Sequence, residues 1–278
     1  MTGHINLEGV RQEFWVRPEN GADDRGQRLF VALDELDLEV KDGEILTLVG
    51  PSGCGKSTVL DLLAGLSRPV AGSVQLDGKE IEGPGLDRGV VFQQYTLLPW
   101  RSALGNIEFA LEAAGFKRSE RAARARKYLD LVGLSDFANR YPHELSGGMK
   151  QRVAIARSLS YEPEVLLMDE PYGALDAQTR ERLQEELIDI WRRTGTTIVF
   201  ITHDIEEAVY LGQRVAVMSA RPGKIREVIE VDLDRSSKSD VRSTPEFAQY
   251  RHHIWSLLRE LAAPVKAVDE VEEVENVA

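Results

Sequence analysis

A run of nine residues near position 50 combines three glycines with one lysine and three hydroxyl side chains. It reads Gly50-Pro51-Ser52-Gly53-Cys54-Gly55-Lys56-Ser57-Thr58. Glycines at this spacing let the backbone curl so that successive N–H groups point inward, where they can bind phosphate. Lys56 is expected to reach the β- and γ-phosphates of a nucleotide, and the Ser57 hydroxyl to bind Mg²⁺. We call this stretch the phosphate loop.

The residues on either side of the phosphate loop support this interpretation. An apolar run precedes it and a helical pattern follows it: Ile45-Leu46-Thr47-Leu48-Val49 and Val59-Leu60-Asp61-Leu62-Leu63-Ala64-Gly65. A strand followed by a helix is the context that the motif requires. The helix dipole contributes about 0.3–1 kcal/mol, whereas each hydrogen bond to a charged group contributes about 1.5–3 kcal/mol. The N–H groups and Lys56 are therefore expected to dominate binding.

Two adjacent carboxylates, Asp169 and Glu170, follow the apolar run Val165-Leu166-Leu167-Met168, and Pro171 comes directly after them. Ionised groups at the end of a buried strand are costly unless they have a partner or a chemical role. Because the chain also carries the phosphate loop, Asp169 is a candidate Mg²⁺ ligand and Glu170 a candidate general base for water. A salt bridge without a catalytic role is the alternative.

Two further predicted strands end in polar side chains. Gly89-Val90-Val91-Phe92 leads to Gln93, and Thr197-Ile198-Val199-Phe200-Ile201 leads to Thr202 and His203. Open α/β sheets bind ligands at the carboxyl ends of their strands. Gln93 is therefore a candidate for contact with Mg²⁺ or water, and His203 for a catalytic or γ-phosphate-sensing role. A loop amide and a structural histidine are the simpler alternatives.

A second glycine turn precedes the helical pattern of residues 153–159. It reads Leu145-Ser146-Gly147-Gly148-Met149. Its N–H groups offer a second possible anion site at a helix N-terminus. Considered alone, the turn is better explained as an ordinary capped helix.

Two clusters of aromatic residues allow two interpretations each. Phe14 and Trp15 precede a polar loop over residues 17–26, and they either pack within a strand layer or stack on a base. Leu97-Leu98-Pro99-Trp100 is either buried loop packing or an exposed anchor for a partner, because Trp is common at contact hot spots. The residue types alone leave both questions open.

The order of predicted strands and helices indicates an α/β fold, with a phosphate-loop NTPase core formed by a mixed sheet and flanking helices. Short apolar segments near residues 5–10, 29–33 and 36–40 predict an added antiparallel β layer. Apolar residues three and four apart over residues 103–157 predict an inserted α-helical subdomain.

These patterns predict three parts of the chain. Residues 1–94 and 158–220 are expected to form the nucleotide-binding core with its antiparallel layer, and residues 95–157 the helical subdomain. Residues 221–278 are expected to complete a hairpin and to add a short helix and an acidic tail.

Composition narrows the class of protein. The 278 residues are 42% hydrophobic and carry a net charge of −12, which argues against a nucleic-acid partner. Cys54 is the only cysteine, so a reducing compartment is expected, and a helix N-terminus could lower the pKa of its thiol. No apolar run approaches about 18 residues and no signal pattern is seen, so the chain is expected neither to span a membrane nor to be exported.

Six elements occur in the order typical of one family: the loop ending in Lys56-Ser57, Gln93, Leu145-Ser146-Gly147-Gly148, Asp169-Glu170, Ala174-Leu175-Asp176 and His203. On these elements the chain resembles, over nearly its whole length, the ATP-binding subunits of ABC transporters. Leu97-Leu98-Pro99-Trp100 and Ser219-Ala220-Arg221-Pro222-Gly223 resemble the branch that serves nitrate, sulfonate, taurine and bicarbonate importers.

This resemblance implies a head-to-tail homodimer that encloses two ATP molecules with Mg²⁺. Ser146 and the N–H groups of Gly147 and Gly148 would meet the γ-phosphate held by the other subunit, and Met149 and Asp176 would also lie at the nucleotide. Phe14 falls where the family has its adenine-stacking aromatic. Met149 stands where many relatives have Gln, and Phe14 where Tyr is usual.

The resemblance also assigns the metal site and the catalytic groups. Mg²⁺ would be coordinated by Ser57, Gln93 and Asp169. Glu170 would polarise the attacking water and His203 would contact the γ-phosphate, with Gln93 and Lys56 as the other catalytic residues.

The implied partners are transmembrane permease subunits, which would dock on the segment from Gln93 to Trp100, and an external solute-binding protein that acts through the permease. The implied function is to energise import of a small anionic solute from the cytoplasmic face of the membrane, as a peripheral subunit. The alternatives are a soluble ABC-type ATPase that acts on DNA or ribosomes, a GTPase or small-molecule kinase, and an importer of an uncharged solute or vitamin precursor.

Overall fold

The computed structural model describes residues 3–16, 28–235 and 240–262. Ten strands form two sheets in these residues, and seven α-helices accompany them. The strands are β1 (Ile5–Val16), β2 (Arg28–Val40), β3 (Ile45–Val49), β4 (Ala71–Leu76), β5 (Lys79–Glu80), β6 (Arg88–Val91), β7 (Val165–Asp169), β8 (Thr197–Ile201), β9 (Arg214–Met218) and β10 (Ile225–Glu230). The helices are α1 (Lys56–Leu63), α2 (Ala103–Ala113), α3 (Arg118–Leu131), α4 (Gly147–Leu159), α5 (Ala177–Thr194), α6 (Ile205–Leu211) and α7 (Pro245–Ala262).

The larger sheet carries the ends of the strands that the sequence marked as functional. Its order is β10-β9-β3-β8-β7-β6, and all neighbours are parallel except β9 and β10. β3 and β8 are buried at every position, as expected for strands covered on both faces. Because β6, β7, β3 and β8 run parallel, their carboxyl ends lie at one edge of the sheet.

The smaller sheet is antiparallel, in the order β2-β1-β4-β5. The sequence predicted two separate apolar segments, near residues 29–33 and 36–40, but they form one strand, β2, of 13 residues. Glu35 lies between them with a φ of 46°, close to a shift in the β1 register. An irregular residue can be accommodated inside a strand because a bulge keeps the pairing on both sides.

An inserted helical region separates β6 from β7. It comprises α2, α3 and α4, with two short 3₁₀ turns before α4. Most of the apolar positions behind this prediction face inward. Ile107, Leu111, Ala125, Leu129 and Val132 are buried, whereas Leu104, Ala114 and Ala122 are half-buried. The buried residues join the same hydrophobic core as the helical side of the larger sheet, so the insert is packed onto the nucleotide-binding core. The α/β fold class is confirmed.

The last described element is α7, which extends the helix predicted near residues 247–261. None of the helices in the three described ranges is long and apolar enough to cross a bilayer. The polar loop over residues 17–26 and the predicted acidic tail lie outside the described residues.

Candidate functional site

The phosphate loop joins β3 to α1, and one side chain fills its centre. Lys56 is only 8% exposed, and its Nζ donates hydrogen bonds to the carbonyl oxygens of Gly50 at 2.8 Å and Pro51 at 3.2 Å. Around it, Ser52, Gly53 and Ser57 are exposed and Thr58 is half-buried. A phosphate is a stronger partner for an ammonium than a neutral carbonyl is. Lys56 can therefore exchange its backbone partners for a nucleotide.

Two glycines of the loop are required by its shape. Gly53 and Gly55 have φ angles of 74° and 101°, a region that glycine adopts without strain. A methyl group placed on Gly55 would lie 2.6 Å from Cδ2 of Leu33 on β2. The antiparallel sheet is thus in direct contact with the phosphate loop, and a side chain at Gly55 would force the two apart.

Cys54 is buried inside the loop, at 1% exposure. Burial raises the pKa of its thiol, and the nearby Lys56 opposes this effect without cancelling it. The suggestion that the helix N-terminus activates this cysteine is therefore wrong. The dipole is weak compared with the cost of placing a thiolate among apolar neighbours.

Arg221 lies beside the phosphate loop, although the sequence suggested no role for it. A methyl group on Gly53 would be 3.1 Å from a guanidinium nitrogen of Arg221. The guanidinium carbon also lies 5.8 Å from the centre of the Phe30 ring. Arg221 belongs to the turn between β9 and β10, and this turn is held against β2 because the Gly223 N–H donates to the Ala32 carbonyl at 2.9 Å. A positive charge is thereby placed next to the loop.

Asp169 ends β7 and is half-buried. Burial raises the pKa of its carboxyl, and the negative charges of Glu170 and Asp61 raise it further, while Lys56 acts in the opposite direction. The negative charge of an ionised Asp169 is therefore not fully compensated by the positive charge of Lys56. A cation near its carboxylate would remove this deficit.

Glu170 and His203 face each other across the ends of two neighbouring strands. Nδ1 of His203 lies 3.1 Å from Oε2 of Glu170. The imidazole is 63% exposed, whereas the carboxylate is 24% exposed. Glu170 has a φ of 42°, which is strained for a residue with a side chain. Such strain is common where a side chain must be aimed at a site.

Gln93 reaches the same place from the end of β6. A methyl group on Gly173 would lie 3.8 Å from Nε2 of Gln93 and 4.0 Å from Cε1 of His203. The two side chains therefore flank Gly173, just after Glu170 in the chain. The structure brings Gln93, Glu170 and His203 together at one edge of the sheet.

The turn of residues 145–149, called the Ser146 turn below, serves as a helix cap in this structure. Oγ of the exposed Ser146 accepts the N–H of Met149 at 3.3 Å, and α4 begins at Gly147. The Met149 N–H is thus engaged, and its side chain packs against the main core. The N–H groups of Gly147 and Gly148 have no acceptor within the helix.

Asp176 caps the next helix, α5, by accepting the N–H of Thr179 at 3.0 Å. This hydrogen bond lowers the pKa of its carboxyl. The preceding Leu175 lies against the Ser146 turn, since a methyl group on Gly147 would be 3.0 Å from Leu175 Cδ2. The helix begins at Ala177 because Asp176 supplies the cap.

Two supporting residues were missed from sequence. Arg180 donates to the Leu175 carbonyl at 3.1 Å and to Oδ2 of Asp204 at 3.3 Å, which joins the turn before α5 to the loop after β8. Glu207 on α6 is buried, burial raises the pKa of its carboxyl, and it accepts hydrogen bonds from Thr202 and Gln184. Neither residue lies in a recognisable pattern, since their partners are distant in sequence or buried by the fold.

The aromatic clusters lie at two different edges. Phe14 and Trp15 are at the end of β1 and are 40% and 66% exposed, and Phe14 pairs with Phe30 of β2. Both aromatics are therefore accessible to a base. Trp100 is 71% exposed, but Leu97 is half-buried and packs against the main core, and Leu98 is also half-buried. Trp100 is therefore exposed as an anchor would have to be, which leaves its anchoring role a prediction, whereas Leu97 packs against the core and is not an exposed anchor.

The family model described as ABC transporter matches residues 33–173, which is half of the chain. The chain belongs to the ABC transporter family. The match begins in β2 and ends just after Glu170, so it contains the phosphate loop, the Ser146 turn and both carboxylates.

Named relatives refine this membership. The chain is 51% identical to a nitrate import ATP-binding protein of Synechocystis sp., over 82% of this chain and 88% of the relative. It is 49% identical to a taurine import ATP-binding protein of Rhizobium johnstonii, with the same coverage. The predicted nitrate and taurine importer branch of the family is therefore confirmed.

A solved structure supports the enzymatic class. The chain matches an ATP-binding cassette, solved as a dimer in a post-hydrolysis state with ADP and phosphate, with a TM-score of 0.68 and 33% identity. The match covers 82% of this chain and 99% of the cassette. The chain is accordingly an ABC-type ATPase that binds ATP.

Proposed function

We propose that this chain is the ATP-hydrolysing subunit of a membrane importer for a small anionic solute, of the nitrate, sulfonate, taurine or bicarbonate type. The observation that carries the proposal is the placement of Glu170 and His203, 3.1 Å apart, on the sheet edge that also bears the phosphate loop. The relatives named for nitrate and taurine import support the solute class.

The proposed nucleotide site uses the phosphate loop for the phosphates and Phe14 for the adenine. Mg²⁺ fits the available donors: no group of three or more His, Cys, Asp or Glu suited to a metal occurs in the described part of the chain, but Mg²⁺ at nucleotide sites needs only one or two carboxylates besides phosphate. The ion would be held by Asp169 and the exposed Ser57, with Gln93 as a further contact. Asp169 suits this role because its ionised carboxylate is not compensated by the positive charges around it. When bound, the ion would neutralise charge on the phosphates.

In the proposed reaction, Glu170 orients and deprotonates the attacking water while His203 contacts the γ-phosphate. The observed hydrogen bond constrains this step. If Nδ1 of His203 carries the proton and donates to Glu170, Nε2 can donate to a phosphate only when the ring is doubly protonated. With a singly protonated ring, His203 can donate either to Glu170 or to the phosphate, so its hydrogen bond to Glu170 must break when ATP binds. His203 would thus hold Glu170 in place until the nucleotide arrives.

We further propose that two copies of the chain enclose the nucleotide. The Ser146 turn has the exposed hydroxyl of Ser146 and no lysine among residues 145–149, so it suits a phosphate that is already held by another subunit's phosphate loop. ATP then bridges both surfaces only in the closed dimer, and loss of the γ-phosphate removes the bridge. The dimeric cassette with 33% identity supports this arrangement.

The proposed partners are the permease subunits and, through them, an external solute-binding protein. We call residues 93–100 the docking segment; it begins at Gln93 and ends at the exposed Trp100. This arrangement puts the chain on the cytoplasmic face of the membrane as a peripheral subunit.

Replacement of Glu170 tests the proposed chemistry. Glu170→Gln should lower kcat for ATP hydrolysis by about 10²–10⁴-fold while ATP still binds, because the amide cannot act as a base. Glu181→Gln, an exposed position on α5, is the matched control and should retain activity. Near-normal hydrolysis by Glu170→Gln would rule out the proposed base.

Reconstitution tests the transport function. The chain should co-purify with its permease in detergent, and the complex with its binding protein in proteoliposomes should take up labelled nitrate, taurine or bicarbonate only when ATP is on the side of this chain. An active ATPase that co-purifies with no membrane protein and drives no uptake would instead indicate a soluble ATPase, and uptake of an uncharged solute alone would overturn the proposed solute class.

A further inference from the structure

The docking segment is attached to the helical insert at two points. Near its start, Arg157 of α4 donates to the carbonyl oxygen of Thr96 at 2.7 Å, to Thr96 Oγ1 at 2.9 Å and to the Tyr95 carbonyl at 3.3 Å. Near its end, the buried Asn106 of α2 accepts the Leu98 N–H at 2.7 Å and donates to the Leu98 carbonyl at 3.2 Å. Side chains of the insert therefore fix the backbone of the segment.

The Arg157 contact has two unusual features. In the described ranges, Arg157 forms no ion pair with a carboxylate, and its hydrogen bonds go to carbonyl and hydroxyl oxygens. Thr96 has a φ of 47°, which is strained for a β-branched residue. A guanidinium removed from water requires its acceptors to stay in place. Arg157 thereby holds Thr96 in a conformation that it would not keep alone.

Arg157 also lies next to the fixed end of α4. The following residue, Ser158, donates from Oγ to the Val90 carbonyl of β6 at 2.8 Å, which ties this end of the helix to the larger sheet. Ser146 caps the opposite end. A helix of 13 residues is about 20 Å long. Because α4 is one continuous helix, a displacement at Arg157 near its end is carried along the helix to Ser146 at its start.

We infer that Arg157 is a positioning residue that makes the docking segment and α4 move together, so that permease movement at Trp100 displaces Ser146 relative to the phosphate loop. The inference rests on the proposed function, because the permease is the partner that moves the segment. Arg157 itself contacts no reacting group. Its role is mechanical and acts through the backbone of Tyr95 and Thr96.

Hydrogen exchange of the isolated chain tests the attachment without any permease. The Leu98 amide, bonded to Asn106, reports on the segment. Arg157→Met should speed exchange across residues 94–102 by about tenfold or more, because the charged hydrogen bonds to Thr96 are lost. Arg157→Lys keeps the charge but not the forked donor, and should give an intermediate rate.

Arg124→Met is the matched control. Arg124 is another half-buried arginine of the insert, and it donates to the Ser160 carbonyl at 2.6 Å without touching the docking segment. Exchange over residues 94–102 should stay at the wild-type rate in this variant. Equal exchange in Arg157→Met and wild type would overturn the attachment. If Arg157→Met does not fold, the same comparison is made with Arg157→Lys, and wild-type exchange in that variant would also count against it.

The assembled complex tests the coupling. In proteoliposomes, the ratio of ATPase activity with and without solute-loaded binding protein should fall at least about fivefold in Arg157→Met, since movement of the segment no longer reaches Ser146. The KM for ATP and the amount of co-purified permease should remain within about twofold of wild type. A retained ratio despite faster exchange would refute the coupling.

The two experiments separate failure of the inference from failure of the proposed function. If wild type itself shows no co-purified permease and no stimulation, the proposed function fails. The exchange result still decides whether Arg157 holds the segment. If wild type is stimulated and Arg157→Met is equally stimulated, only the inference fails.

Discussion

The phosphate loop and the Ser146 turn are both glycine turns that lead into a helix, yet they differ in what surrounds them. The phosphate loop encloses the buried Lys56, contacts β2 through Gly55 and lies near Asp169. In the Ser146 turn only Ser146 is exposed; the turn uses this serine as a helix cap and encloses no charged side chain.

This difference underlies the proposal that the phosphate loop binds a phosphate within one chain, whereas the Ser146 turn contributes only together with a second chain. A lysine ammonium and converging N–H groups form a complete site within one chain. A turn with only neutral donors and partial helix charge provides much less binding free energy. The Ser146 turn is therefore suited to complete a site rather than to create one.

The largest effect is expected at Lys56. Lys56→Ala should weaken ATP binding by at least about tenfold and reduce hydrolysis further, because one charged hydrogen bond contributes about 1.5–3 kcal/mol. Calorimetry measures the affinity. Lys79→Ala, on the exposed strand β5, removes the same charge elsewhere and should bind ATP normally. Unchanged affinity in Lys56→Ala would contradict the difference between the two turns.

A smaller effect of another kind is expected at Ser146. Ser146→Ala should lower dimer-dependent hydrolysis by about 10–100-fold while leaving ATP binding to dilute chain unchanged, because only the second contact to phosphate is lost. Ser102→Ala removes a similar serine cap, which accepts the Gly105 N–H at 3.1 Å on α2. Both variants should lose about 1 kcal/mol of stability.

The two serine variants can therefore be compared directly. If Ser102→Ala reduces hydrolysis as much as Ser146→Ala does, the loss comes from the helix cap and the Ser146 turn has no separate role at the nucleotide. Steady-state ATPase assays at several chain concentrations, with thermal unfolding of both variants, distinguish the two results.

The smallest effect is expected in stability at Asp169. Because burial raises its pKa in the folded chain, the unfolded chain ionises first, and the free energy of unfolding falls as the pH rises from about 4 through the folded pKa. Asp169→Asn removes this penalty, so Tm without nucleotide should rise by about 2–4 °C at neutral pH and less at lower pH.

The same variant should lose the extra Tm gain that Mg²⁺ adds to ATP in wild type. Asp136→Asn, at an exposed position, should change neither quantity. A lower Tm for Asp169→Asn at neutral pH would show that the carboxylate is compensated inside the chain, and would remove the argument that it needs a cation.

Much of the fold followed from local patterns. The apolar runs of β3, β7 and β8 predicted buried strands, and the residues after them predicted which side chains meet at the sheet edge. Parallel strands place their ends together whatever the loops between them do, so Gln93, Glu170 and His203 could be grouped in advance. The left-handed φ angles of Gly53 and Gly55 were likewise implied by the phosphate loop.

Other features were not predictable because they depend on distant partners. Leu97 and Trp100 belong to one apolar cluster in the sequence, but only the tertiary packing places the half-buried Leu97 against the main core and leaves Trp100 exposed. The pKa of Cys54 is raised by neighbours from several elements, which no local rule counts.

The sequence by itself determined the chemistry of this protein: a glycine loop with lysine, two carboxylates after a buried strand, and a serine-glycine turn. These are short-range patterns, set by backbone conformation and residue type over a few positions. The tertiary structure decided how they are held: Arg221 beside the loop, Arg180 between two turns, and Arg157 on the docking segment. The guanidinium group sits at the end of a long side chain and can contact residues that are distant in the sequence. Local sequence patterns therefore do not predict which residues an arginine contacts.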